Sequence, residues 1–131
     1  MTAAVRYYSR SGNTKLLADA IARGAGVAAI PVDDPGAAIT EHVDVLFIGG
    51  ALYAYGLDSH LKKYLAELDG SKVKKAVVFS TTWLSKHSLD LISQALRAKG
   101  IHVEEKTLYA KSKPGPAYLK EAEAFAKDCT R

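Results

Sequence analysis

The chain alternates short, continuously apolar runs with longer stretches in which apolar residues recur every three or four positions. Five runs rich in β-branched residues, at 3–8, 27–32, 43–49, 75–80 and 102–109, have the length and composition of strands. Val45-Leu46-Phe47-Ile48 and Ala76-Val77-Val78-Phe79 are apolar at every position rather than at every second one. Both faces of such strands must be covered, as in a parallel sheet lying between helices. The fifth run is more polar and reads as an edge.

Helical spacing fills the intervals: Leu17, Ala20, Ile21 and Gly24; Leu57, Leu61, Tyr64, Leu65 and Leu68; Leu89, Ile92 and Leu96; Tyr118, Ala122, Phe125 and Ala126. Gly24 and Gly100 stand where helices end in a left-handed residue, and Pro116 where a first turn tolerates a missing donor. Strands alternating with helices build right-handed βαβ units. The expected architecture is therefore an α/β, three-layer, doubly wound domain, a five-stranded parallel sheet with helices on both faces. Residues 33–41 are the exception, because Asp33-Asp34-Pro35-Gly36 reads as a turn and leaves room for at most a short helix.

A length of 131 residues with 48% hydrophobic residues suits one domain, 1–131, with a single core system. The apolar runs fall short of the roughly 20 residues that span a bilayer, so no membrane span is expected. The first residues lack a basic segment followed by an apolar core, and a cytoplasmic location is the expectation. One cysteine, Cys129, excludes an internal disulfide and reads as a small residue on the last turn of the final helix. The net charge of +4 is spread along the chain, which gives no nucleic-acid footprint. Lys72-Val73-Lys74-Lys75, the densest basic stretch, reads as a solvated loop.

Open α/β sheets bind ligands at the carboxyl ends of their strands. Three loops lie there: residues 9–14, 49–57 and 80–87. The first, Ser9-Arg10-Ser11-Gly12-Asn13-Thr14, places three hydroxyls around a glycine and runs straight into a helix. A helix start presents unpaired amides and partial positive charge, so the loop suits an anion such as a phosphate; a hydroxyl-rich helix cap is the simpler alternative. The other two loops present Tyr53, Tyr55 and Trp83 in a chain with only 8% aromatic residues. Such rings either sandwich a planar heterocycle or pack on neighbouring helices.

At these residues the sequence resembles the flavodoxin family. Tyr8-Ser9-Arg10-Ser11-Gly12-Asn13-Thr14 looks like that family's Thr/Ser-x-Thr/Ser-Gly-Asn-Thr phosphate loop, and Asp44 to Tyr53 is similar to its third strand and flavin-contacting loop, with Ala51 where proline is frequent. The resemblance implies a strand order 2-1-3-4-5, noncovalently bound flavin mononucleotide (FMN), and one- or two-electron exchange with redox partner proteins. It places the phosphate on Ser9, Arg10, Ser11, Gly12, Asn13 and Thr14. It places the flavin ring among Ala51, Leu52, Tyr53, Ala54, Tyr55, Gly56, Ser80, Thr81, Thr82 and Trp83, with Tyr53 and Trp83 on opposite faces. No catalytic and no metal-ligating residues follow from it, and a monomer or weak dimer is expected.

Three departures from the family pattern change the picture. The chain is basic where flavodoxins are acidic, so partners with acidic docking surfaces are one expectation. Ala54 stands where some relatives have a glycine whose peptide turns over against reduced flavin, and alanine resists positive φ by roughly 1 kcal/mol. The third loop lacks glycine and carries His87, either a donor to the flavin or a surface residue at a helix start. The resemblance leaves an enzyme as the alternative, an FMN-dependent quinone- or protoporphyrinogen-type oxidoreductase. Phosphoacceptor, nucleotide-hydrolysing and Ser-nucleophile readings lack their motifs, and His42, His60, His87 and His102 lack ligand spacing.

Overall fold

The computed structural model describes residues 1–53, 56–81 and 87–131, with Leu52 and Tyr53 described by their backbone alone. The chain runs β1 (Ala3–Tyr7), α1 (Asn13–Ala25), β2 (Ala29–Pro31), β3 (Val43–Gly49), β4 (Leu52–Tyr53), β5 (Gly56–Leu57), α2 (Ser59–Glu67), β6 (Val73–Thr81), α3 (His87–Arg97), β7 (His102–Val103), β8 (Leu108–Ala110) and α4 (Pro116–Cys129). All pairings in the main sheet are parallel, in the order β2-β1-β3-β6, with both β7 and β8 against β6. Counting β7 and β8 as two halves of one strand, this is the expected order 2-1-3-4-5.

Pleating sends successive side chains to opposite faces, and two cores result. Leu46, Ile48, Ala76 and Val78 face Leu61 and Leu65 of α2 and Ile92 and Leu96 of α3. Val45, Phe47, Val77 and Phe79 face Leu17 and Ile21 of α1 and Ala122 and Ala126 of α4. The continuously apolar runs are buried because both faces are covered. Each fully buried Leu, Ile, Val or Phe among them contributes about 1.5–3 kcal/mol relative to exposure.

Four expectations are corrected in detail. The left-handed residue after α1 is Gly26 (φ 72), while Gly24 lies inside the helix, where a Cβ would collide with the Glu123 carbonyl of α4. Glycine there serves close packing of two helices. Residues 73–75 belong to β6 rather than to a loop, because Val73 pairs with Val43 and is buried while Lys74 points to solvent. The fifth strand is interrupted: Val103 pairs with Ala76 and Leu108 with Phe79, so residues 104–107 lie opposite 77–78, an excess of two. The interval 49–57 is not a plain loop, since β4 and β5 pair antiparallel within it.

The abbreviated second crossover holds as expected, with one 3-10 turn, Pro35–Ala37. It is pinned from below, since the Ala37 carbonyl accepts hydrogen bonds from buried Arg6 Nε (2.7 Å) and from the Tyr64 hydroxyl (2.6 Å). Gly100 ends α3 with φ 79, Pro116 opens α4, and Cys129 closes it. Among the described residues, no helix is long and apolar enough to cross a membrane.

Candidate functional site

The carboxyl ends of β1, β3 and β6 bring the three loops together. The turn out of β1 needs a left-handed residue at its last position before α1, and Gly12 supplies it with φ 90 and ψ −9. Gly12, the N-cap residue, has no side chain with which to cap this helix start. Its first-turn amides therefore remain to be satisfied by something other than the helix itself.

Two amides of the loop are engaged within it. Gly12 N–H donates to Ser9 Oγ at 3.0 Å and Asn13 N–H to Ser11 Oγ at 3.3 Å. A hydroxyl that accepts from an amide still has its own proton to give, and accepting polarises it into a better donor. The loop thus pairs a helix terminus with two polarised hydroxyls. It forms a cavity of about 370 Å³ with Tyr8, Arg10, Lys15, Pro31 and Asp33 along its wall. Lys15 is held to Asp19 at 2.8 Å on the helix surface.

Side-chain hydrogen bonds join the three loops pairwise. Arg10 donates to Asp58 Oδ2 through Nε (3.1 Å) and Nη2 (2.6 Å), linking the first loop to the end of the second. The hydroxyls of Thr14 and Thr81 lie 2.6 Å apart and buried, linking the first to the third. Ser80 Oγ donates to the Gly50 carbonyl at 2.6 Å and shares a 2.7 Å bond with Ser88, linking the third to the second. In the backbone, Tyr8 N–H donates to the Gly49 carbonyl at 3.2 Å.

Asp58 is the charged centre of this bracing. Its side chain is 3% exposed. Its Oδ1 accepts from the backbone N–H of His60 as the N-cap of α2 and lies 2.8 Å from His60 Nδ1. The His60 ring stacks on Tyr8, with centroids 4.6 Å apart and planes 10° from parallel. Burial pushes the Asp58 carboxyl pKa up, but the bonds from the His60 amide, the His60 ring and Arg10 outweigh it and bring the group below the ordinary carboxylate value.

Of the residues singled out in the sequence, the structure gathers Ser9, Arg10, Ser11, Gly12, Asn13 and Thr14 at one helix start, and sets Gly49, Gly50, Ala51, Gly56, Ser80 and Thr81 at the adjoining strand ends. Ser80 and Thr81 are buried and serve as braces. Ala54, Tyr55, Thr82 and Trp83 lie outside the described residues, as do the side chains of Leu52 and Tyr53. His87 is exposed at the first position of α3, 4.0 Å from Asp90. Asp58 and Ser88 are not singled out by sequence, and Asp33 and His60 read only as a turn residue and as a histidine without ligand spacing. Asp58 alone carries a signal, a capping residue type one position before the first residue of α2.

No protein-family model matches the sequence, and no curated protein matches it. Among solved structures, the chain is similar to a flavodoxin from the domain Archaea, with a TM-score of 0.85 and 26% identity over 99% of this chain and 96% of that one. Two-electron reduced Megasphaera elsdenii flavodoxin matches at a TM-score of 0.74 and 23% identity, covering 95% of this chain and 98% of its own. The flavodiiron protein from Giardia intestinalis matches at a TM-score of 0.80 and 18% identity, over 96% of this chain but 34% of its own. The chain has the flavodoxin fold along nearly its whole length.

Proposed function

From this flavodoxin fold we propose that the chain, as one unit over residues 1–131, binds FMN and passes electrons between redox partners. The observation that carries the reading is the first loop: a left-handed N-cap, Gly12, with no side chain of its own, and the Ser9 and Ser11 hydroxyls beside it. That donor set fits a phosphate. Two or three bonds to a charged oxygen at about 1.5–3 kcal/mol each, with roughly 0.3–1 kcal/mol from the helix terminus, support micromolar affinity with modest help from ring contacts.

FMN, when bound, supplies the one- and two-electron chemistry. The protein's own residues do the holding: Ser9, Ser11, Gly12, Asn13 and Thr14 bind the phosphate, and the strand-end segments that contain Ala51 and Gly56 contribute the wall for the ring. Arg10 is committed to Asp58 and acts as a loop brace. The likeness to flavodoxins, and to a flavodoxin-sized third of a flavodiiron protein, supports a carrier role. The positive net charge of +4 supports partners whose docking surfaces are acidic.

Titration of the purified protein with FMN, followed by quenching of flavin fluorescence, tests the reading. Dissociation constants below about 100 μM for FMN, and clearly weaker binding of riboflavin, are expected. Equal affinity for the two would overturn the phosphate assignment.

A further inference from the structure

We propose that Asp58 is the positioning residue of the phosphate loop, holding it through Arg10 in the shape that receives a phosphate. The inference rests on the FMN reading above and assigns a specificity-determining role to a residue outside the loop motif.

The geometry departs from that of an ordinary surface ion pair. Arg10 is 57% exposed at its side chain but its partner is 3% exposed, so one end of the pair is fixed in the protein. Both oxygens of Asp58 are engaged, Oδ2 by two nitrogens of Arg10 and Oδ1 by the His60 amide and ring. Through the His60 ring stacked on Tyr8, the same carboxylate also reaches the residue immediately before the loop. The loop is thus held at its entry by Tyr8 and within by Arg10, both converging on Asp58, and at its exit by the Thr14–Thr81 bond.

Breaking the Arg10–Asp58 pair has two opposing effects on a bound phosphate. A released guanidinium gains access to the anion, but a guanidinium–phosphate contact made by an exposed side chain is screened by water and salt and must order that long side chain. A loosened loop makes the ligand order several backbone residues on binding, each at a substantial entropic cost. The second effect is larger, so loss of Asp58 charge weakens FMN binding. It leaves riboflavin, which lacks the phosphate, almost untouched.

Asp58→Asn is the informative variant, because asparagine caps a helix as well as aspartate does and the start of α2 is retained. The expected result is a fall of about tenfold in FMN affinity with riboflavin affinity changed by less than about twofold. Arg10→Ala, made at the exposed end of the pair, should give the same loss and carries the test if Asp58→Asn does not fold. Because the two residues act as one unit, the double variant should be no worse than either single. Unchanged or tighter FMN binding in the variants overturns the inference, as does a parallel loss for FMN and riboflavin, which would reduce Asp58 to a structural cap. Wild-type protein with no preference for FMN overturns the FMN reading and this inference with it; a preference that the variants keep overturns this inference alone.

Discussion

The hydroxyls of Thr14 and Thr81, 67 positions apart in sequence, meet at 2.6 Å with both residues almost fully buried. The bond joins the first turn of α1 to the last residue of β6. Replacing Thr81 with valine keeps the shape and removes one partner, leaving the Thr14 hydroxyl buried and unpaired. The expected cost is about 1–3 kcal/mol of stability, read from urea denaturation. FMN affinity should fall as well, because Thr14 is free to rotate away from the loop.

Gly24→Ala should destabilise the protein although it removes a glycine from a helix interior, a change that elsewhere gains roughly 1 kcal/mol. The added Cβ has no space against the Glu123 carbonyl, and α1 and α4 must separate to admit it. Overpacking of this kind costs about 1–3 kcal/mol. A rise in thermal midpoint would contradict the close approach of the two helices.

Asp33 shares a wall with the phosphate loop, and its carboxylate opposes an incoming anion. Asp33→Asn should therefore tighten FMN binding by about two- to fivefold at low salt, since one solvent-exposed charge is worth up to about 1 kcal/mol. The gain should shrink in 0.5 M salt, where the screening length is only a few ångströms. Riboflavin affinity serves as the control and should not change.

The Asp58 carboxyl is held below its ordinary pKa by the His60 and Arg10 bonds. A carboxyl with a depressed pKa in the fold contributes stability that is complete above its unfolded value, about 3.9, and disappears as pH falls through the lower folded value. Wild type should thus exceed Asp58→Asn in stability between pH 7 and about 5. That margin should close on further acidification. Denaturation midpoints of the two proteins between pH 7 and 2 check this; a margin that persisted at pH 2 would mean that the charge of Asp58 is not what stabilises the fold.

The layers of the fold were legible because burial on both faces leaves its mark on every position of a strand, as in residues 45–48 and 76–79, whereas the strand order followed only from the family resemblance at residues 8–14 and 44–53. The helix start at Gly12 was legible because a glycine among hydroxyl-bearing residues runs straight into helical spacing. What escaped was set by partners distant in sequence. Gly24 reads as a helix terminator until α4 is laid across it. The two surplus residues at 104–107 show only against the register of β6. Nothing local announces that Arg10 and a ring stacked on Tyr8 meet at the two oxygens of Asp58.

The broken fifth strand also has a bearing on self-association. One edge of the sheet is β2, three residues long and closed by Pro31, which has no N–H to offer a neighbour. The other edge is divided into pieces of two and three residues by the extra length at 104–107. Neither side presents a long, regular row of unpaired backbone groups of the kind that templates strand addition and aggregation. A second copy of the chain has no straight ladder to extend.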